Sequence, residues 1–470
     1  MNMVAIILAA GKGTRMKSEL PKVLHKVGGK PMLEHVLNAA TEAGADKKVV
    51  IIGHGADAVV SAMASTLEGK RAACGKGVKQ EISFAVQEPQ LGTGHAVMQA
   101  EDTLRTFNGT VLVLCGDTPL LDGEELAKFV ALHKQSGASA SVLTTYLDNP
   151  FGYGRIIRDR NNNVHGIVEE KDATEVQKKI KEINTGIYCM ECPEMFIILK
   201  RLSNDNAQGE YYLTDVIGKL KEAGKKVGAV VTQDRDMVLG INSRRQLAEA
   251  EGVLRQRILN KWMDAGVTIM DPASTFIEAD VEIGNDTIIR PFTWLEGRTK
   301  IGRNCEIGPN SRLTNVEVGD GTHLQFIYAH DCHVGQDVTA GPFVHLRPDT
   351  EIGDKVKIGN FIEVKNSRVG TGSKLPHLSY IGDTDMGSGV NVGCGSIMVN
   401  YDGKKKHRTK VGNDVFIGCN SNLVAPVELG DGSFVAAGST ITKNVPAAGL
   451  GVGRAKQTNI EGWAKKYFED

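Results

Sequence analysis

Ile352-Gly353-Asp354-Lys355-Val356-Lys357-Ile358-Gly359 sets the same aliphatic–glycine pair six residues apart. The pair occurs earlier at Ile283-Gly284, Ile301-Gly302, Ile307-Gly308, Val318-Gly319 and Val334-Gly335. It returns at Val369-Gly370, Ile381-Gly382, Val392-Gly393, Val411-Gly412, Ile417-Gly418 and Leu429-Gly430, mostly at spacings of 6, 12 or 18 residues. A unit this short cannot bury its own aliphatic side chain and must stack on copies of itself. Three units make one triangular coil, with the aliphatic residue pointing inward and the glycine where a Cβ would clash at the corner. Roughly ten coils stacked at about 4.8 Å give a prism on the order of 50 Å long. A helix is excluded, because a period of six does not hold one helical face and glycine is too frequent. Residues from about Val281 to Val445 therefore read as an all-β parallel helix of hexapeptide repeats.

The rest of the chain bounds the function. Its 470 residues leave room for two or three domains, and a formal net charge of −1 gives no electrostatic case for nucleic acid or an anionic membrane. No apolar run approaches the roughly 20 residues a membrane helix needs. The apolar N-terminus is short and lacks the basic lead of a signal peptide. Eight scattered cysteines point to a reducing, cytoplasmic setting. Cys189 and Cys192 form one C-x-x-C with no second pair and no histidine nearby, which favours packing over zinc.

Val4–Leu8 reads as a buried strand entering Ala9-Ala10-Gly11-Lys12-Gly13-Thr14-Arg15-Met16, followed by a helix from Pro31 to Ala43. Apolar runs at Val49–Ile52, Ile82–Val86 and Val111–Cys115 alternate with helical stretches such as Gly123–Ser136, which predicts an α/β domain on a mostly parallel, Rossmann-like sheet. Ligands then sit at the carboxyl ends of the strands. Gly11 and Gly13 let backbone N–H groups approach phosphate, and Arg15 and Lys22 supply fixed positive charge. The spacing matches neither the dinucleotide G-x-G-x-x-G nor the P-loop, so NAD and Walker-type ATPase readings are disfavoured. Ser243 to Asp264 has helical periodicity and reads as a connecting helix. We place an N-terminal domain at 1–230, a linker and connecting helix at 231–252, and the prism with its C-terminal tail at 253–470.

Leu8-Ala9-Ala10-Gly11-x-Gly13-Thr14-Arg15-Met16 with Pro21-Lys22 resembles the signature of sugar-1-phosphate nucleotidyltransferases. Gln87 with Gln90-Leu91-Gly92-Thr93-Gly94, Cys115-Gly116-Asp117, Gly152-Tyr153-Gly154-Arg155, Glu169-Glu170-Lys171-Asp172, Glu182-Ile183-Asn184-Thr185-Gly186 and Gly240-Ile241-Asn242 fit that family in order, so the resemblance covers roughly residues 3–245. It implies that Leu8, Ala9, Ala10, Gly11, Lys22, Gln87, Gly92, Thr93, Gly154, Glu169, Asn184 and Asn242 bind UTP and the UDP-sugar. Arg15 and Lys22 would act on the triphosphate, and Asp117 with Asn242 would hold Mg²⁺. A sugar-1-phosphate is already an anionic nucleophile, so such a site needs positioning and charge stabilisation rather than a general base.

In the prism, His345-Leu346-Arg347-Pro348, Gly359 to Lys365, His377 to Asp383, Val390 to Gly395 and Asn400-Tyr401-Asp402-Gly403 break the repeat with polar groups. With the first half, they resemble the bifunctional N-acetylglucosamine-1-phosphate uridyltransferase/glucosamine-1-phosphate acetyltransferase family. Prisms of this family are left-handed and trimeric, with the acetyl site between subunits. The resemblance implies His377 as catalytic base and Arg347, Lys365, Tyr380 and Asn391 as the sugar-phosphate pocket. It implies Cys394, Asn400, Tyr401, Cys419, Ala437 and Arg454 as acetyl-CoA contacts. Cys394 stands where alanine is frequent and Cys419 where serine is, and a thiol is the poorer hydrogen-bond donor. Lys404-Lys405-Lys406-His407-Arg408 loops out, either as a solvated basic loop or to reach anionic substrate, with Lys406 closest to the family's lysine.

The implied enzyme is a cytoplasmic homotrimer that acetylates glucosamine-1-phosphate and then joins N-acetylglucosamine-1-phosphate to UMP, supplying UDP-N-acetylglucosamine for the bacterial envelope. A single-activity nucleotidyltransferase on a scaffold prism is the enzymatic alternative. An interaction protein on the same two modules is the other, and it could dispense with Arg15, Lys22 and Asp117.

Overall fold

The computed structural model describes residues 3–73 and 81–468 (the backbone alone at 65–73) and divides into two compact units, Met1–Leu254 and Arg255–Asp470. In the first unit, strand Met3–Leu8 sends Met3, Ala5 and Ile7 to one face and Val4 and Ile6 to the other, as a period of two requires. Each face meets its own helical layer. Met32–Glu42 and Gly123–Ser136 cover the first face, while Thr93–Met98, Glu194–Leu199 and Asp215–Glu222 cover the second. Helix Gly123–Ser136 starts where the Asp122 carboxylate accepts the N–H groups of Glu124 and Glu125, and stops at Gly137 in the left-handed region (φ 62°).

The sheet runs Val227–Val231, Ala140–Tyr146, Glu182–Cys192, Gly109–Cys115, Met3–Leu8, Lys47–Ile52, Glu81–Val86. Along this order only Glu182–Cys192 is antiparallel to its neighbours, so the mostly parallel sheet expected from the sequence is found. Leu8 lies in register with both Ile51 and Cys115, which brings the loops after three strands to one edge. Cys189 and Cys192 project into opposite core layers and cannot share an ion, and burial pushes both thiols up. Residues 231–252, expected as a linker, pack largely within this unit. Met237 and Val238 join its main core, and Ile241 and Ala250 form a smaller cluster with Val27, Met32 and Leu120.

The second unit is the expected prism, a single 26-stranded sheet of parallel rungs. Ile283, Ile301, Val318, Val334, Ile352, Val369, Met386, Val411 and Leu429 stack in register coil upon coil, and all are buried. The glycines that follow them are needed for stacking. A Cβ on Gly302 would lie 2.4 Å from Asp320 Oδ1 and 2.7 Å from its backbone nitrogen. The left-handed corners belong instead to residues such as Asp286, Asn304, Asp337 and Asp414, with φ between 54° and 60°. Buried hydroxyls absent from the sequence reading recur in one column: Thr287, Thr322 and Ser373 are fully buried and donate to Gly302, Gly335 and Gly387 carbonyls of the next coil. One coil is long. Thr384 pairs with Thr409 and Asn391 with Phe416, and the surplus residues leave as the excursion through 400–408. Ile258, Leu259, Trp262 and Met263, from helix Arg244–Asp264, pack on the aliphatic core of this unit.

Candidate active sites

In the first unit a cleft of about 920 Å³ opens at the carboxyl edge of the sheet. Its lining includes Leu8, Ala9, Ala10, Gly11, Lys22, Gln87, Gly92, Thr93 and Asp117, all expected from the sequence. Asp117 follows strand Gly109–Cys115, and its carbonyl accepts the Ile241 N–H at 3.0 Å, which holds the 240–242 segment beside it. The Lys22 ammonium, on the short turn Lys22–Leu24, pairs with Asp117 and donates to Asn242 Oδ1 at 2.8 Å. A carboxylate and an amide oxygen thus converge on one protein cation. Both donors are oxygens and only two are supplied, which fits Mg²⁺, a hard ion that takes its other ligands from water and phosphate.

The loop from Gln87 to Gly94 is tightly built. Gly92 adopts φ 104°, and a Cβ there would lie 2.7 Å from Tyr211 O. Gln87 Nε2 donates to Gly92 O at 2.9 Å, and the Thr93 hydroxyl accepts Leu213 N–H at 3.1 Å. Gln90 Nε2 donates to Ala10 O at 2.6 Å, so this loop ties directly to the glycine loop. Gly154, Glu169 and Asn184 form a separate cluster: Asn184 N–H donates to Gly154 O at 2.9 Å, and a Cβ on Gly154 would sit 3.4 Å from Glu169 Oε2. Burial pushes the Glu169 carboxyl up, against a hydrogen bond from Thr214. Burial, and after it the Asp117 charge, raises the Tyr153 hydroxyl.

One expectation finds another placement. Arg15 is exposed on the turn Thr14–Met16 and does not line the cleft. Arg155, at the end of the Gly152-Tyr153-Gly154-Arg155 segment, is buried and bonded to Glu170 Oε2 at 2.7 Å and Lys178 O, so it braces that segment. Gly53, His54 and Glu210 also line the cleft and were missed by the sequence reading. The sheet order brings these scattered segments together, and no local motif marks them.

In the prism, register assembles the second site. Asn360 stacks on His377, Glu363 on Tyr380 and Lys365 on Gly382. His377 Nδ1 lies 3.0 Å from Asn360 Oδ1, an accepting oxygen that sets the tautomer with the proton on Nδ1 and leaves Nε2 as the basic nitrogen. Lys365 Nζ lies 3.1 Å from both oxygens of Asp383, a buried carboxylate that also accepts Asn366 and Asn400 amides. These donors hold the Asp383 carboxyl low against the opposing effect of burial, the largest single influence on it. Asn400 Nδ2 also reaches the Tyr380 hydroxyl at 3.3 Å. The Lys406 ammonium is pulled below the ordinary lysine range by Lys365 beside it. Arg347 pairs with Glu363 at 2.8 Å and adds to the same positive field. Asp383, the hub of this network, was quoted in a motif but not singled out.

Asn391 pairs with Lys374 and Phe416, on a different strand column from Tyr380. Cys394, Cys419 and Ala437 form one column, with Asn420 N–H donating to Cys394 O and Gly438 N–H to Cys419 O, each at 2.7 Å. Arg454 Nη1 reaches Ala437 O at 2.8 Å at the end of that column. Tyr401 is exposed, and its hydroxyl donates to Gly403 O within the excursion.

A nucleotide-sized cleft with a cation held between oxygens, and a polar constellation on a hexapeptide prism, define a two-part transferase. The family model for nucleotidyl transferases matches residues 4–271. The model for the six-repeat hexapeptide of bacterial transferases matches 331–361 and 408–443, and that for the hexapeptide repeat of succinyl-transferase matches 298–325. Bifunctional protein GlmU of Geobacillus sp. strain WCH70 is 50% identical over 462 residues, 98% of this chain and 97% of its own. GlmU of Caldanaerobacter subterraneus subsp. tengcongensis is 50% identical over 464 residues, covering 99% and 98%, and that of Listeria monocytogenes serotype 4a 49% over 461, covering 98% of each. The chain belongs to the bifunctional GlmU family.

Proposed function

We propose that the chain makes UDP-N-acetylglucosamine in two steps, as a cytoplasmic enzyme. The prism transfers the acetyl group of acetyl-CoA to the amine of glucosamine-1-phosphate. The first unit then joins N-acetylglucosamine-1-phosphate to UMP from UTP and releases pyrophosphate. The observation that carries this reading is family membership over nearly the whole chain with both polar constellations assembled: Lys22 between Asp117 and Asn242, and the Lys365–Asp383–Asn400–Tyr380 network beside Arg347 and Lys406.

In the uridylyl site, the backbone of Leu8–Gly11 and the loop of Gln87, Gly92 and Thr93 bind and orient the nucleotide. Gly154, Glu169 and Asn184 receive the sugar. Lys22, and Arg15 from outside the cleft lining, offset triphosphate charge. Asp117 and Asn242 would hold Mg²⁺, which neutralises phosphate charge when bound.

In the acetyl site, His377 takes the amine proton on Nε2, with Asn360 fixing its ring. Arg347, Lys365 and Lys406 bind the phosphate, and Tyr380 and Asn391 complete the sugar pocket. The column of Cys394, Cys419, Ala437 and Arg454, with Asn400 and Tyr401, carries coenzyme A. The exposed stripe of Phe343, Phe361 and Leu378 supports association of prisms into a homotrimer, which would bury it.

The test supplies glucosamine-1-phosphate and acetyl-CoA and follows free thiol, then adds UTP and Mg²⁺ and follows pyrophosphate. His377→Ala should lose the first signal alone. Asp117→Ala, given N-acetylglucosamine-1-phosphate, should lose the second alone. Pyrophosphate without any thiol from the wild-type protein would reduce the prism to a scaffold.

A further inference from the structure

The described cysteines divide sharply. Cys189, Cys192, Cys305 and Cys332 are buried, and burial pushes the Cys332 thiol up to about 12. Such thiols are poor nucleophiles and inert. In the prism only Cys394 and Cys419 reach the surface, the first half-buried and the second exposed, and they occupy one column. The repeats around them are equivalent: Val392-Gly393-Cys394-Gly395-Ser396 in one coil and Ile417-Gly418-Cys419-Asn420-Ser421 in the next. Val392 pairs with Ile417, Gly393 N–H donates to Ile417 O and Asn420 N–H to Cys394 O, both at 2.7 Å. These bonds leave no slip in register, so the two cysteines are stacked equivalents on adjacent coils. Parallel stacking sets their Cα atoms about 4.8 Å apart. That lies inside the roughly 4.4–6.8 Å span a disulfide bridges. Parallel stacking keeps the Cβ atoms at about that same separation, beyond the roughly 3.5–4.5 Å of a relaxed disulfide. A bond here is therefore strained, and strained exposed disulfides are readily reduced.

We propose that Cys394 and Cys419 are a redox-modification site: they close into a reversible disulfide across two coils, and closure shuts acetyl transfer. The oxidant class is a low-molecular-weight disulfide. The Cys419 thiolate attacks one sulfur, forming a mixed disulfide and expelling one small thiol. The Cys394 thiolate then attacks the Cys419 sulfur, forming the protein disulfide and expelling the second. Two protein thiols are oxidised, one small disulfide is reduced to two thiols, and the two protons pass to those thiols. The inhibitory half rests on the coenzyme A reading of this column; the chemistry of the pair does not.

The experiment treats the full-length protein with glutathione disulfide, then digests it without reductant. A linked peptide pair carrying Cys394 and Cys419 is expected, together with at least tenfold slower thiol release from acetyl-CoA. Both should reverse with dithiothreitol, and pyrophosphate release should be unchanged. Cys394→Ala should give only the glutathione adduct on Cys419. Absence of the linked peptides from wild-type protein, at a concentration of oxidant that does modify Cys419, overturns the proposal. Linked peptides with undiminished thiol release overturn its inhibitory half. Protection of Cys419 from iodoacetamide by acetyl-CoA tests the coenzyme A reading separately, since it needs no disulfide.

Discussion

The Lys22 ammonium donates to Asn242 Oδ1 at 2.8 Å while pairing with Asp117, so the protein supplies its own cation between the two oxygens expected to hold Mg²⁺. Two cations repel across so small a gap, so each disfavours the other there. Lys22→Met should therefore raise Mn²⁺ affinity in the absence of nucleotide by about tenfold, the order expected from removing one competing charge. Electron paramagnetic resonance of the ion reads this directly. Equal, weak binding in wild type and variant would show that Lys22 does not guard the gap. Pyrophosphate release should fall by roughly 10² to 10³, as when one stabilising donor is lost.

Asp383 is buried, yet it accepts Lys365, Asn366 and Asn400 together. Asp383→Ala takes the shared carboxylate away from a partly buried ammonium and two amides, which should cost about 3 kcal/mol of stability in the prism. Thiol release should disappear in parallel with the fall in melting temperature, while the uridylyl assay stays within twofold. Retention of acetyl transfer would mean that Lys365 needs no such clamp.

Lys406 sits beside Lys365 and is held below the ordinary lysine range. A lysine with a lowered pKa loses its charge first as pH rises. KM for glucosamine-1-phosphate should therefore increase with pH before the ordinary lysine range is reached, and Lys406→Ala should flatten that rise while raising KM throughout. A wild-type profile no steeper than the variant's would remove Lys406 from the phosphate site.

Gly302 meets the next coil too closely for a side chain, with Asp320 N only 2.7 Å from where a Cβ would stand. Gly302→Ala should destabilise the prism by about 1–3 kcal/mol through overpacking. Thermal unfolding would show it, and an unchanged midpoint would mean the coils separate easily.

The repeat made the prism legible because an aliphatic residue every six positions has no other way to be buried. Ile301, Val318 and Val334 were readable from spacing alone, and the structure stacks them. Asp383, Asn366 and Glu363 were not, because successive registers advance by unequal steps: Glu363 meets Tyr380, 17 residues on, but Thr384 meets Thr409, 25 on. A partner across coils depends on that accumulated offset. The cleft behaves the same way. Its glycine loop is contiguous and announces itself, whereas Gly53 and Glu210 join it only through strand order. Thr287 and Ser373 look like neutral polar residues in sequence, and only burial reveals that they serve the next coil's carbonyls.

The buried hydroxyls have a consequence for the prism. Where a coil carries one, as at Thr287, Thr322 and Ser373, its tie to the next coil lies wholly inside the prism. The outer corners are left free, so added segments exit sideways. The excursion through 400–408 is such an exit. It brings Asn400 and Lys406 to the Lys365–Asp383 pair while Thr384 and Thr409 close the rung behind it as though nothing had been added.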